Sequence, residues 1–162
     1  KLLMATKAPK HKHTKEPKKE VRSLRFFDTS AILPWLRKEQ HTEKVATFFQ
    51  SGEPIFVWWG TVTEAESALS RLEREHTLHA GDLASARGRL KLLQESWHEV
   101  MPTVMVKQLA TRLLRTHALR SQDALQLAAA LQLADGFPQD ILFISFEGRL
   151  CVAAEKEGLQ IL

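Results

Sequence analysis

Short apolar segments alternate with longer amphipathic ones along most of this chain, and this alternation restricts the folds it can adopt. The short segments are 24–27, 54–59, 141–145 and 159–162, and residues 101–106 form either a weak strand or a connector. Such runs are typical of buried strands, while the segments between them have the apolar spacing of helices. Strands that alternate with helices build a mainly parallel sheet with helices packed on its faces. We therefore expect an α/β three-layer sandwich.

The intervening segments predict seven helices. These cover residues 30–39, 41–52, 61–76, 79–100, 107–117, 121–135 and 148–158. The sixth, "SQDALQLAAALQLAD", is apolar on nearly every side beyond its first turn, so we expect it to be a buried central helix. No internal repeat is visible, and we expect one domain over residues 24–162.

The net charge of +4 over 162 residues is unevenly distributed. Residues 1–20 hold seven Lys and two Glu, which leaves the remainder at −1. We interpret residues 1–23 as a basic, flexible tail, and the charge of the body gives no argument for nucleic acid. The single cysteine excludes an internal disulfide, and no apolar run approaches the length of a membrane helix, so we expect a cytoplasmic protein.

Four acidic residues stand at the ends of predicted elements. Asp28 follows the first strand, Glu147 lies two residues beyond "ILFIS", and Glu64 and Asp123 open helices. Ligands of open α/β sheets gather beyond the carboxyl ends of the strands, and helix N-termini often point to the same edge. We therefore expect these four carboxylates to converge.

Each acid also has a purely structural interpretation. Asp28 could cap the next helix, and Asp123 could stabilise a helix N-terminus through the dipole. Glu64 follows Thr61 by three residues, as in a T-x-x-E capping box. Glu147 could be a solvated loop residue. However, Asp28 and Asp123 are embedded in apolar sequence, where an unpaired carboxylate is costly.

Clustered carboxylates repel one another unless a cation compensates their charge. Oxygen ligands without a set of Cys or His favour Mg²⁺ or Mn²⁺ over Zn²⁺. Such ions can activate water and stabilise the transition state of phosphodiester hydrolysis. The hydroxyls of Thr29, Ser30 and Ser145 could orient ligands, although such groups are more often local caps. Basic residues that could line the mouth of the site are Arg37, Lys38, Arg71, Arg74, Arg120 and Arg149.

Four segments resemble the PIN-domain family, close to the VapC toxins of bacterial toxin–antitoxin pairs. They are "FFDTSAILPWL", "VWWGTVTEAESALSRLERE", "LRSQDALQLAAAL" and "LFISFEGRLCVAAEKEGL". The resemblance covers residues 24–162 and places the metal-binding acids of the family at Asp28, Glu64 rather than Glu66, and Asp123. The fourth position usually holds Asp in the family, and this chain has Glu147 there.

The resemblance implies a ribonuclease dependent on Mg²⁺ or Mn²⁺, with tRNA or ribosomal RNA as plausible substrates. It also implies a homodimer and an antitoxin that binds next to the site. The alternative is a PIN fold with weak or no catalysis that binds RNA or assembles into a complex. A phosphatase of the haloacid dehalogenase type would need D-x-D after the first strand, and this chain has Ser30 at the second position.

Overall fold

The computed structural model describes residues 23–37 and 42–162. The elements of these two ranges are β1 (Leu24–Phe27), α1 (Thr29–Arg37), α2 (Thr42–Gln50), β2 (Ile55–Trp58), α3 (Thr61–Arg74), α4 (Ala80–Gln94), β3 (His98–Val100), α5 (Val104–Thr116), α6 (Ser121–Ala134), β4 (Ile141–Ile144), α7 (Gly148–Lys156) and β5 (Gln160–Ile161), with a 3₁₀ turn at Pro138–Asp140. The predicted α/β class is confirmed. The proposed tail lies outside these ranges apart from Ser23, and so does Lys38.

The five strands form one sheet in the order β3-β2-β1-β4-β5, and every neighbouring pair is parallel. The chain builds outward from the central β1 to β3 and then returns to place β4 on the other side of β1. Phe27 at the end of β1 pairs with Val57 of β2 and with Ile144 of β4. The strand order therefore reverses between β1 and β4, which is where open α/β sheets bind ligands.

Successive strand residues point to opposite faces of the sheet, so each face has its own apolar core. Phe26 stacks on Phe143 with ring centroids 5.6 Å apart, within the core that α5, α6 and α7 cover. Phe27 belongs to the opposite core, beneath α1, α2, α3 and α4. This arrangement confirms the predicted three-layer sandwich.

Helix α6 is buried along most of its length, as predicted. Its buried residues are Ala124, Gln126, Leu127, Ala128, Ala129, Ala130 and Ala134. The small alanines allow α6 to lie close against the sheet. Gln126 is the one polar residue in this buried set and is 1% exposed.

Residues 101–106 were predicted as a weak strand or a connector, and the structure places the strand earlier in the chain. The strand is His98–Val100, which the sequence pattern assigned to the end of the preceding helix, whereas 101–103 is a connector and α5 begins at Val104. Helix α4 ends at Gln94. The strand β3 that follows is short and lies at the edge of the sheet, with His98 and Glu99 exposed and Val100 buried. Thr103 then caps α5 by accepting a hydrogen bond from the Val106 N–H. Within the described ranges, no helix has the length and apolar character to cross a membrane.

Candidate active site

The carboxyl edge of the sheet gathers the start of four helices. Helix α1 follows β1 directly, α3 follows β2, and α7 follows β4. The C-terminus of helix α6 leads through the 3₁₀ turn to the first residue of β4, at the amino edge of the sheet. The N-terminus of α6 therefore lies at the carboxyl edge, with the starts of the other three helices. Because each predicted acid stands at one of these helix starts, the topology brings Asp28, Glu64, Asp123 and Glu147 to the same edge.

Asp28 is held by hydroxyl groups from two elements. Its Oδ2 accepts hydrogen bonds from the Ser145 hydroxyl at 3.0 Å, from the Ser30 N–H at 3.1 Å and from the Ser30 hydroxyl. Its backbone N–H donates to Ile144 O at 3.0 Å and extends the pairing of β1 with β4. Asp28 therefore caps α1, as the structural interpretation supposed, and at the same time lines the switch point of the sheet.

Burial raises the pKa of Asp28 from its ordinary value of 3.8 to about 6. Hydrogen bonds from Ser30 and Ser145 oppose this effect, whereas the negative charge of Glu64 adds to it. The side chain is only 4% exposed. A carboxylate in such surroundings carries a charge that the protein itself compensates incompletely.

Glu64 takes part in a hydrogen-bond network instead of a capping box. Its Oε2 accepts from the Thr29 hydroxyl at 2.7 Å and from Gln126 Nε2 at 2.9 Å. Helix α3 begins at Thr61 after the cap residue Gly60, and no side chain caps it. The capping-box interpretation of Thr61 and Glu64 is therefore wrong, because Glu64 turns toward α1 and α6.

Asp123 is the third residue of α6, and its Oδ2 accepts a hydrogen bond from the Arg120 N–H at 3.3 Å. This contact supports the helix-terminus interpretation of Asp123. It engages one oxygen, and Oδ1 has no hydrogen-bond donor among the described residues. Asp123 therefore combines a capping role with a free oxygen at the site.

Glu147 is exposed and occupies the cap position of α7 without a side-chain cap hydrogen bond. Its backbone N–H donates to the Ser145 hydroxyl at 3.1 Å, and the Phe146 N–H donates to the Ser30 hydroxyl at 2.9 Å. The same two hydroxyls hold Asp28, so they tie the loop that carries Glu147 to the start of α1.

One cleft of about 200 Å³ is lined by all four acids. Its other lining residues are Thr29, Ser30, Leu33, Ser67, Ala68, Arg71 and Gln122. In the two described ranges, no three His, Cys, Asp or Glu side chains stand close enough together to hold a metal ion as they are. The structure thus brings the four carboxylates to one cleft, but not to ligand distance of a common point.

A second cleft of about 530 Å³ adjoins the first and shares Gln122, Asp123 and Glu147 with it. It is lined by Arg120 and Arg149, whereas Arg71 lines the acidic cleft. Three of the six predicted basic residues therefore border the site. Arg37 and Arg74 line neither cleft.

Sequence reasoning missed Gln126 as a site residue. The sequence does contain an indication of this role, because Gln126 is a lone amide in the apolar stretch of α6. It stands three residues after Asp123 and therefore on the same face of the helix. Thr29 and Ser30 were considered only as possible orienting groups, and the structure shows which acid each one contacts.

Comparisons with known proteins identify the family of this chain. The PIN domain family matches residues 25–155. The chain belongs to the PIN domain family. Two similar curated proteins are ribonuclease VapC45 and ribonuclease VapC49 from two strains of Mycobacterium tuberculosis. Each is 28% identical over 136 residues, which covers 84% of this chain and 92% of the relative. This PIN domain is therefore VapC-like.

Solved structures show the same fold. PAE2754 from Pyrobaculum aerophilum superposes with a TM-score of 0.61 over 86% of this chain and 84% of that chain, at 16% identity. FitAcB from Neisseria gonorrhoeae gives a TM-score of 0.60 over 86% and 96%, also at 16% identity. At this identity the likeness concerns the fold, and it supports the predicted PIN-like sandwich.

Proposed function

We propose that this PIN domain is a metal-dependent endoribonuclease that hydrolyses RNA phosphodiester bonds. One observation carries the proposal, namely that four carboxylates from four separate helix starts line one cleft at the switch point of the sheet. Its curated relatives, both named ribonuclease VapC, support RNA as the substrate. All four positions hold an acid, with Glu147 in place of the usual Asp, and this favours a catalyst over an inactive binding module.

The donor set fits a hard divalent cation. Asp28, Glu64 and Asp123 each use one carboxylate oxygen in hydrogen bonds, and in each the other oxygen has no donor in the described part of the chain. None of the four acids forms an ion pair there. Oxygen ligands of this kind suit Mg²⁺ or Mn²⁺, so we assign Asp28, Glu64, Asp123 and Glu147 to the cation.

When bound, such an ion supplies an activated water at neutral pH and charge stabilisation in the transition state. The protein supplies the positions. Hydrogen bonds from Ser30 and Ser145 fix Asp28, and the Ser145 hydroxyl also fixes the Glu147 N–H. The Glu147 side chain is exposed and is one methylene longer than that of Asp. We therefore assign Glu147 to orienting water or to a more distant contact with the cation, and not to its tightest ligand.

The direct assay incubates the purified protein with a mixed pool of tRNA and ribosomal RNA. We expect cleavage with Mg²⁺ or Mn²⁺ and none with EDTA, because in the proposed mechanism a bound cation activates the water and stabilises the negative charge of the transition state. Product bands on denaturing gels provide the measurement, with heat-inactivated protein as the control. Cleavage in EDTA, or no cleavage with either metal while RNA still binds, would contradict the proposed reaction and favour the binding module.

We further assign the phosphates that flank the scissile bond to Arg120 and Arg149 in the adjoining cleft. Exchanging both Arg120 and Arg149 for Gln should weaken RNA binding about tenfold at low salt, because two phosphate contacts are removed. The plot of log K against log salt should become shallower by about 1.4, at about 0.7 per phosphate on a single strand. Filter binding across a salt series measures both quantities.

Arg74→Gln is the matched control, since Arg74 lies on the last turn of α3 and lines neither cleft. It should leave the salt slope unchanged. An unchanged slope in the Arg120 and Arg149 variant would remove these residues from the path of the RNA.

We also propose that the protein acts in the cytoplasm as the toxin of a toxin–antitoxin pair, as a homodimer and under the control of a cognate antitoxin. The VapC names of its relatives support this role. A neighbouring reading frame for a small DNA-binding protein, and loss of cleavage when that protein is added, would bear it out. An active nuclease with no such neighbour would be a stand-alone enzyme.

A further inference from the structure

A buried network joins three of the four helices that begin with site acids, namely α1, α3 and α6. Gln126 Nε2 of α6 donates to the Thr29 hydroxyl of α1 at 2.8 Å and to Glu64 Oε2 of α3 at 2.9 Å, and it lies 3.4 Å from the Thr61 hydroxyl. Thr29 in turn donates to the same oxygen, Glu64 Oε2. Thr29 and Thr61 are buried, and Gln126 is 1% exposed.

The chemistry of these groups fixes which way the Gln126 amide points. An ionised carboxylate only accepts hydrogen bonds, so the group that faces Glu64 must be the –NH₂ of the amide. The opposite orientation would set the amide oxygen against Glu64 Oε2. The result is that Gln126 Oε1 points elsewhere, and it is buried without a hydrogen-bond partner in the described ranges.

The buried Gln126 amide, considered alone, lowers the stability of the fold. A buried amide with an unpaired oxygen costs more than an apolar side chain of the same shape would in that position. The rest of the buried face of α6 is alanine and leucine. The network is therefore explained by what it does to Glu64 and not by packing.

Two donors on one oxygen orient the Glu64 carboxylate. Thr29 and Gln126 both bond Oε2, which leaves Oε1 without a donor. Glu64 lines the acidic cleft. From this geometry we propose that Gln126 is a positioning residue, which with Thr29 holds Glu64 by Oε2 so that Oε1 is presented to a divalent cation. The inference rests on the proposed metal site, but not on RNA being the substrate.

The test measures Mn²⁺ binding without any substrate. Gln126→Met removes the donor and keeps the length of the side chain. Electron paramagnetic resonance of free Mn²⁺ should show a dissociation constant raised about tenfold, within the range usual for residues that orient metal ligands. In a Glu64→Gln background the same exchange should change the constant by less than about twofold, because the carboxylate through which Gln126 acts is gone.

Gln132→Met is the matched control, an exchange of the same residue type on the same helix. Gln132 Oε1 accepts a hydrogen bond from the Thr103 hydroxyl, away from the clefts that hold the acids. It should leave the Mn²⁺ constant unchanged. If circular dichroism shows that Gln126→Met does not fold, Thr29→Val takes its place in the same cycle, since it removes the second donor to Oε2.

Two results would overturn the proposal. One is an unchanged Mn²⁺ constant in folded Gln126→Met or Thr29→Val, and the other is an equal loss of affinity in the wild-type and Glu64→Gln backgrounds. Failure of the ribonuclease proposal is distinguishable from either. A protein that binds Mn²⁺ with this coupling and cleaves no RNA retains the role of Gln126 and loses the proposed substrate.

Discussion

Asp28→Asn is expected to abolish RNA cleavage and, at the same time, to make the protein more stable at pH 8. Cleavage should fall about a thousandfold or more, since in the proposed mechanism Asp28 lines the cleft and holds the cation that stabilises the transition state by several kcal/mol. Stability should rise because asparagine avoids the cost of an ionised carboxylate that is 4% exposed. Asparagine can still accept hydrogen bonds from Ser30 and Ser145 through its amide oxygen.

The pH dependence has a defined sign. The pKa of Asp28 is about 6 in the folded state against 3.8 ordinarily. Between these values the folded protein binds more protons than the unfolded chain, so the stability of the wild type falls as pH rises through this window. The advantage of Asp28→Asn should therefore be about 3 kcal/mol at most above pH 6 and should vanish near pH 4.

Urea unfolding in EDTA between pH 4 and 8 measures this difference. Asp135→Asn is a suitable control, because Asp135 is an exposed residue in the left-handed conformation that Asn tolerates well. It should change stability by less than about 0.5 kcal/mol at every pH. An Asp28→Asn protein less stable than the wild type at pH 8 would mean that the Asp28 charge is compensated in the folded protein.

Glu64→Gln should weaken Mn²⁺ binding about tenfold or more, and Glu66→Gln should leave it within about twofold. Glu64 lines the acidic cleft. Glu66 pairs instead with Arg87 of α4, with the two charged groups 2.7 Å apart, and this contact holds the pKa of Glu66 below its ordinary value. The two residues lie two positions apart on α3, so the comparison isolates the direction in which a carboxylate points.

Calorimetric titration with Mn²⁺ gives the two dissociation constants. Glu66→Gln has a separate expected effect, a loss of stability below about 1 kcal/mol, because its ion pair is largely exposed. If Glu66→Gln lost more Mn²⁺ affinity than Glu64→Gln, the second ligand of the site would have to move to Glu66.

The sequence allowed the class of fold and the position of all four acids to be predicted. Strand ends and helix starts are local features, and Asp28 and Asp123 stood out because each interrupts an apolar run. Strand order is not a local feature, so nothing in the sequence showed that β4 returns to the side of β1. The edge strand β3 was missed because it has three residues and one buried side chain, which is too short for the alternation of apolar and polar residues that marks a strand.

The hydrogen-bond partners of the acids were also beyond the sequence. Ser30 and Ser145 are 115 positions apart, yet both contact Asp28 Oδ2. The spacing T-x-x-E favoured a capping box at Thr61. In the structure Glu64 instead accepts hydrogen bonds from Thr29 and Gln126, and α3 begins without a side-chain cap. Packing between helices decided this point, and packing cannot be read from spacing.

The place of β4 beside β1 also has a consequence for synthesis. A ribosome releases the chain from its N-terminus, so Asp28 and Glu64 emerge long before Ser145 and Glu147. Until β4 docks, Asp28 lacks the Ser145 hydroxyl, its backbone bond to Ile144 and the loop that carries the fourth acid. The cleft is thus completed only after β4 and the loop that follows it have been made, so a growing chain cannot hold all four acids in place before then.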